Sequence, residues 1–510
     1  MRLAMRTAIA LLLTLPAGLA PAHAAPPDAS RPLRVALEFD PAPLDPATDG
    51  SYTNRIVTTV MCDSLIDFSP QMKFIPELAT SWAWSPDRRS LTLHLRPGVT
   101  YQDGTKLDAA SIQANLQRYQ TAPYSIRKSE MSAITGSVVV NPETIRITLS
   151  HPYAPLLATL ANRVGTPYSP RILALPRDAI AAHPVCAGPF AFKNRVAQDH
   201  ITLTRWPGYW NAAAIHLPGI VFHTVTSATV RKTDLEAKAL DIADHIAPTD
   251  VAEIRGRRDL VIARTPSLGY SLIEINVGNG KAARNPLGRD ARVRRAFSLA
   301  IDRGALNQVA FNGQYVPSNQ MEAPGSPYFD SAYPVPSRNV AEARKLLAAA
   351  GYKHVTVTLQ IGTDPLDRQA AEIIQSMVKD AGFDLKLVSE ESAGLVGNAR
   401  SGNFQAVMLL WSGRADPDGN MPIWLTCKGF TNWGHFCSPA FDRLITRGAE
   451  GNSLAQRKPL YDRAVAIFER QAPDIVLYHY AMIWGLSAKV HGFHGRPDGL
   501  WRPEGMTVAP

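Results

Sequence analysis

Pro76-Glu77-Leu78-Ala79-Thr80-Ser81-Trp82, then Ser90-Leu91-Thr92-Leu93-His94-Leu95-Arg96-Pro97-Gly98-Val99, then Tyr101-Gln102-Asp103-Gly104-Thr105 and a helix start at Asp108: this run decides the fold. Leu91, Leu93 and Leu95 alternate with polar residues, the period of a half-buried strand. Asp103-Gly104 is a turn dipeptide. It lies between that strand and a helix capped by Asp108 and running to about Tyr119. Trp82 and Trp84 are expected to lie under such turns as core plugs.

Working outward, Val138-Val139-Val140, then Asn141-Pro142-Glu143, then 145–149 reads as a β-hairpin. Ile201, Leu203 and Arg205 begin another strand, and 355–361, 385–388 and 404–411 are further strands. Asp290 caps a helix through Ala296 and Ala300. Asn339 with Glu342 has capping-box spacing, and Gly351 ends that helix. A helix over 368–381 stops at Gly382, and Ser438-Pro439 gives an N-cap followed by Pro at the first helical position. From 340 to 411 the order reads helix, strand, helix, strand, strand, which predicts an α/β domain. The segment 66–186 is richer in hairpins.

The chain has 510 residues, 45% of them apolar, with a net charge of +9. Arg2 and Arg6, the apolar run 8–15 and Ala22-His23-Ala24 read as a secretory leader cut before Ala25. The run is far short of the ~20 apolar residues a membrane span needs. Removing 24 residues leaves 486, too many for one core at roughly 100–200 residues per domain. The basic residues are scattered rather than gathered in a stripe, which argues against a nucleic-acid partner. Export makes disulfides possible. Cys427 and Cys437 would close a short loop and are the expected bridge. A metal site with His435 between them lacks the four ligands of a structural zinc, so no metal is expected. Cys62 and Cys186 are left open, paired or free.

Templates for catalysis fail. Ser125-Ile126-Arg127-Lys128 matches S-x-x-K, yet neither S-D-N nor K-T-G follows. No G-x-S-x-G and no H-E-x-x-H occurs. Gly278-Asn279-Gly280 begins like a dinucleotide loop, but Ala283 stands where the third glycine belongs. No catalytic residue and no cofactor is expected.

Five stretches in order resemble one family, the extracellular solute-binding proteins of the peptide, nickel and opine class (family 5, cluster C), receptors of ABC importers. They are the opening run, Ala187-Gly188-Pro189-Phe190, Tyr209-Trp210 after Leu203-Thr204-Arg205, the segment 290–302, and 411–418. The resemblance implies an α/β, two-lobed periplasmic-binding-protein fold (type II) with an additional α/β domain on the first lobe. It implies a signal peptide over 1–24, a first lobe from 25–65, 187–275 and 489–510, an extra domain over 66–186, and a second lobe over 276–488. Hinge strands would pass near 273–277 and 480–486. The function implied is capture, in the periplasm, of a peptide or peptide-like solute for an ABC permease, by a monomer. The other reading is a secreted peptide hydrolase or transpeptidase using Ser125 and Lys128.

Leu410-Trp411-Ser412-Gly413-Arg414-Ala415-Asp416-Pro417-Asp418 follows an apolar strand and turns into a loop at its carboxyl end, where ligands sit in α/β domains. In dipeptide receptors of the family, the third position after this Trp carries an aspartate that pairs with the peptide's amine. Here it is Arg414, which suits a carboxylate, bidentately. The loop is one residue shorter before Asp416, so a slipped register would give Asp416 the amine. Dipeptide receptors also carry Arg-x-Tyr upstream, where this chain has Ile361-Gly362-Thr363. Trp411 and Ser412 join Arg414 and Asp416 as expected ligand residues. The family's geometry adds Tyr52 and Asn276, and less strongly Asn54 and Phe39.

Overall fold

The computed structural model describes residues 31–509 except 42. The expected leader lies outside the described residues. Two lobes share one eleven-stranded sheet. From one edge it runs Phe383–Ser389, Val355–Ile361, Ala406–Trp411, Leu260–Ile275, Asp474–Ser487, Ile242–Ala243, Leu33–Leu37, Gly219–Thr224, His200–Arg205 and Phe190–Val196; Val316–Pro317 adds to Asp474–Ser487. Leu33–Leu37 pairs in parallel with both its neighbours, and Val355–Ile361 does the same at the other end.

The long strands Leu260–Ile275 and Asp474–Ser487 join the two halves. Ile273, Ile275, Ile475 and Leu477 enter one core, while Met482, Trp484 and Leu486 enter the other. Their pairing breaks register between Pro266 and Tyr270. The expected crossing at 273–277 instead falls at the end of a regular ladder, Tyr270–Ile275 against Ala406–Trp411.

A third core, built on Leu91, Leu93, Leu95, Tyr101, Ile112, Tyr119, Ile145 and Ile147, lies under a four-stranded antiparallel sheet. Ser90–Leu95 and the hairpin Ile134–Asn141/Thr144–Leu149 form as the pattern predicts. Asp108 caps Ala109–Thr121, accepting from the Ser111 amide at 2.8 Å. Trp82 and Trp84 are half-buried on the edge strand Ala79–Trp84 and are not core plugs. The turn at Asp103-Gly104 needs its glycine, at φ +79°. Gln102 donates to Met61 O and Phe190 O and so ties this turn to the first lobe. Gly188 packs where a Cβ would lie 2.2 Å from Met61 O. Beside it, Cys62 bonds Cys186, the pair the sequence left open. Cys427 bonds Cys437.

Two elements differ from the sequence reading. The helix expected over 368–381 is Pro365–Lys379, because Asp364 caps it and Pro365 takes the first helical position. A further helix, Ser392–Arg400, separates Phe383–Ser389 from Ala406–Trp411. Both strands run parallel to Val355–Ile361, so a crossover is obligatory. Gly394 and Gly397 weaken its local signal, and its N-cap Glu391 makes no capping bond.

Candidate functional site

The loop after Ala406–Trp411 is held before any solute arrives. Gly413, at φ +68°, lies so close to Leu268 that a Cβ would approach its carbonyl to 2.3 Å. Asn420 clamps the Arg414 backbone from both sides, accepting from its N–H at 2.8 Å and donating to its carbonyl at 3.0 Å. The Arg414 guanidinium stacks 4.6 Å from the Trp411 ring centroid and donates to Ser412 Oγ at 2.8 Å and to Gly413 O. Among the described residues no carboxylate pairs with it. Asp416, its nearest candidate in sequence, instead makes two 2.7 Å bonds to buried Arg457. Asp418 accepts from Tyr153 OH at 2.5 Å.

Facing this loop is the start of helix Tyr52–Met61, capped by Ser51. The carbonyls before it collect arginines. Arg163 Nη2 donates to Gly50 O at 3.0 Å and Ser51 O at 2.6 Å, and Arg127 Nη2 reaches Asp49 O at 3.4 Å. Arg127 pairs with Glu130 at 2.5 Å, and Arg55 with Asp498 at 3.1 Å. Arg163 is 4% exposed and has no ion-pair partner among the described residues. The Nε atoms of Arg127 and Arg163 are buried without a hydrogen-bond partner, as are Thr53 Oγ1 and Asn54 Oδ1. Burial, then Arg127, Arg414 and Arg55, holds the Arg163 guanidinium well below the usual arginine range. Burial, then Arg55 and Arg127, brings Arg414 down to about 10. Four guanidiniums therefore share one neighbourhood, and two of them have no counter-charge. The two sides are joined by Tyr153–Asp418 and by Ala154 N–H donating to Ala449 O at 2.8 Å.

The remaining expected residues separate. Tyr52 is half-buried, donates to Gly499 O and meets the His245 ring edge-on at 5.3 Å. Phe39 is exposed. Asn54 is fully buried and donates to Pro43 O at 2.6 Å. Asn276 is fully buried, and its side chain is engaged within the fold, donating to Asn279 O, Gly402 O and Phe404 O while accepting from Asn279 N–H. Asp416 is likewise spent on the fold, because its two oxygens hold Arg457. Ser125 Oγ donates to Tyr119 O at 2.6 Å, and Lys128 is exposed, so S-x-x-K makes no dyad. Arg55, Arg127 and Arg163 escaped the sequence reading. Arg127 stands inside the S-x-x-K match; Arg55 and Arg163 carry no motif.

At the other end of the same helix, a cavity of about 220 Å3 is lined by Thr58, Asp63, Asp67, Glu77 and Glu504, with Arg55 and Arg163 also touching it. Burial pushes Asp63 up to about 7, although Trp210 Nε1 donates to it at 2.7 Å. Asp67 remains below the usual range because Arg502 and Arg496 outweigh its burial. No residue of 411–418 lines this cavity. No group of histidines, cysteines and carboxylates able to hold a metal occurs among the described residues, and no helix there is long and apolar enough to cross a membrane.

Residues 73–432 match the model of bacterial extracellular solute-binding proteins, family 5 (middle). The glutathione-binding protein GsiB of Salmonella paratyphi A is 26% identical over 94% of this chain and 95% of its own length. A dipeptide-binding protein from Pseudoalteromonas sp. SM9913, solved with Met-Leu, superposes with a TM-score of 0.83 at 22% identity, over 94% of this chain and all of the other. The Escherichia coli murein tripeptide binding protein MppA gives 0.82 at 22% identity, over 95% and 99%. The fold is that of the type II, two-lobed solute receptors.

Proposed function

The chain belongs to the bacterial extracellular solute-binding proteins of family 5, and we propose that it captures a peptide or peptide-like solute bearing a carboxylate and delivers it to the permease of an ABC importer. Arg414 carries the reading. It is a pre-oriented guanidinium at the carboxyl end of a sheet strand, with no carboxylate of its own. An unpaired cation in a water-poor cleft favours an anion far more strongly than a wet surface does. The Trp411 ring stacks on the Arg414 guanidinium and Ser412 accepts from it, so both belong to the solute-binding set together with Tyr52. Three relatives named for glutathione, a dipeptide and a murein tripeptide support a peptide-like solute.

The domain limits read from the sequence are part of this proposal, as is periplasmic residence after cleavage before Ala25. N-terminal sequencing of the exported protein should begin at Ala25; a full-length cytoplasmic product contradicts it. The receptor reading is tested by incubating solute-free protein with a peptide mixture. Peptide retained intact supports it. Turnover of peptide would restore the hydrolase reading, against which the separated Ser125 and Lys128 already speak.

A further inference from the structure

Building on the receptor reading, we infer that the solute carries two acidic groups, one taken by Arg414 and the other by Arg163, so that a single dianion bridges the two faces of the cleft. Arg127 and Arg163 meet at the carbonyls before helix Tyr52–Met61, and Arg55 and Arg414 lie near enough to act on Arg163; Glu130 and Asp498 each pair with one of the four, and the acids of the cavity that Arg55 and Arg163 touch pair with none of them. Arg163 and Arg414 are the two left over. Arg163 spends only Nη2, on two backbone carbonyls, and keeps a buried Nε without a partner. Arg414 spends Nη1 on Ser412 and Gly413. Each retains N–H donors, and burial with like-charged neighbours disfavours both cations, a cost that a bound acid would offset. A buried charge needs a partner. The described residues supply none, so the solute must.

The two arginines come from opposite sides. Arg163 is fastened to the start of helix Tyr52–Met61, and Arg414 to the loop after Ala406–Trp411. Without a solute their like charges oppose the approach of the lobes. A solute with one acid satisfies one side and leaves the repulsion half intact. Two acids remove it and gain a charge-assisted bond at each end, so closure and recognition of the second acid are one event.

The test uses solute-free mature protein, with succinate and glutarate as dianions and acetate at matched ionic strength as the monoanion. The dianions should raise the melting temperature beyond acetate. That excess should vanish in Arg163→Gln and in Arg414→Gln, and persist in Arg177→Gln, an exposed charge-loss control. With a peptide retained from a mixture, amidating one of its two carboxylates should weaken binding by about 10- to 150-fold. No excess in the parent, or an excess surviving in both cleft variants, overturns the inference. A retained peptide with a single acid, bound equally by Arg163→Gln, overturns it while leaving the receptor reading intact. Retention of no peptide overturns the receptor reading instead. Should Arg163→Gln fail to fold, Arg414→Gln, whose backbone is clamped independently by Asn420, decides alone.

Discussion

Helix Tyr52–Met61 has a crowd of buried charges at each end, mainly basic at its start and mixed at its far end. Its start faces four arginines; its far end borders a cavity with Asp63, Asp67, Glu77 and Glu504. The acids share that cavity with Arg55, Arg163, Arg496 and Arg502, and the two ends answer the cost of buried charge differently. A carboxyl can take up a proton, as the rise of Asp63 to about 7 and of Glu77 and Glu504 above their usual range indicates. A guanidinium has no such exit near neutral pH. The acidic end can settle its account internally, whereas the basic end waits for a partner. The proposed solute site is thus the end whose charges have no proton to take up.

The comparison breaks most readily at its paired charges. Asp67 is the one cavity acid held by Arg496 and Arg502, so Asp67→Ala should cost about 3–5 kcal/mol in denaturant unfolding. Asp416→Ala, which strands Arg457, should cost a similar amount and leave solute affinity little changed. If Asp416→Ala instead keeps its stability and loses a cationic solute, Asp416 anchors an amine and the reading of Arg414 fails.

Next in size is Arg414→Ala. It should weaken the cognate solute by about 1.5–3 kcal/mol in calorimetry while the unliganded protein melts almost unchanged. Arg414→Lys should recover only part, because the planar fork is lost.

A smaller effect depends on pH. Asp63 sits above its ordinary value, so between about pH 4 and 7 the folded chain holds more protons than the unfolded one. Its contribution to stability is therefore present at low pH and is lost as pH rises toward 7. The slope is at most about 1.4 kcal/mol per pH unit for one proton. Asp63→Asn should flatten that slope in pH-dependent unfolding. Smallest of all, Lys128→Ala should leave stability within about 0.5 kcal/mol and binding unchanged, because Lys128 is exposed. Loss of a peptide-cleaving activity on that change would revive the hydrolase reading.

What the sequence made legible was what neighbours in the chain decide. Alternation at Leu91, Leu93 and Leu95, and the caps at Asp108, Asp290 and Ser438, depend on adjacent residues, and all appear in the structure. The two lobes followed from motif order along the chain. Arg414 was legible as a substitution within a recognisable strand and loop. Arg55, Arg127 and Arg163 were not, because no local pattern distinguishes an arginine that packs on a distant carbonyl from one on a wet surface. Arg163 reaches Gly50 and Ser51 across more than a hundred residues. Asn276 was placed by the family's geometry alone, and its bonds to Gly402 and Phe404 are between residues too far apart in the chain for a local pattern to show.

The great sheet is open, and so it has two rims. At one, Phe383–Ser389 offers a free flank with exposed Asp384 and Lys386 along it. At the other, Phe190–Val196 carries exposed Lys193, and its pairing slips between Phe192 and Asn194. Unpaired strand flanks are templates on which other chains can assemble, and alternating charge or a local bulge spoils the template. Both rims of this sheet carry such features, exposed charges at one and a charge with a register shift at the other.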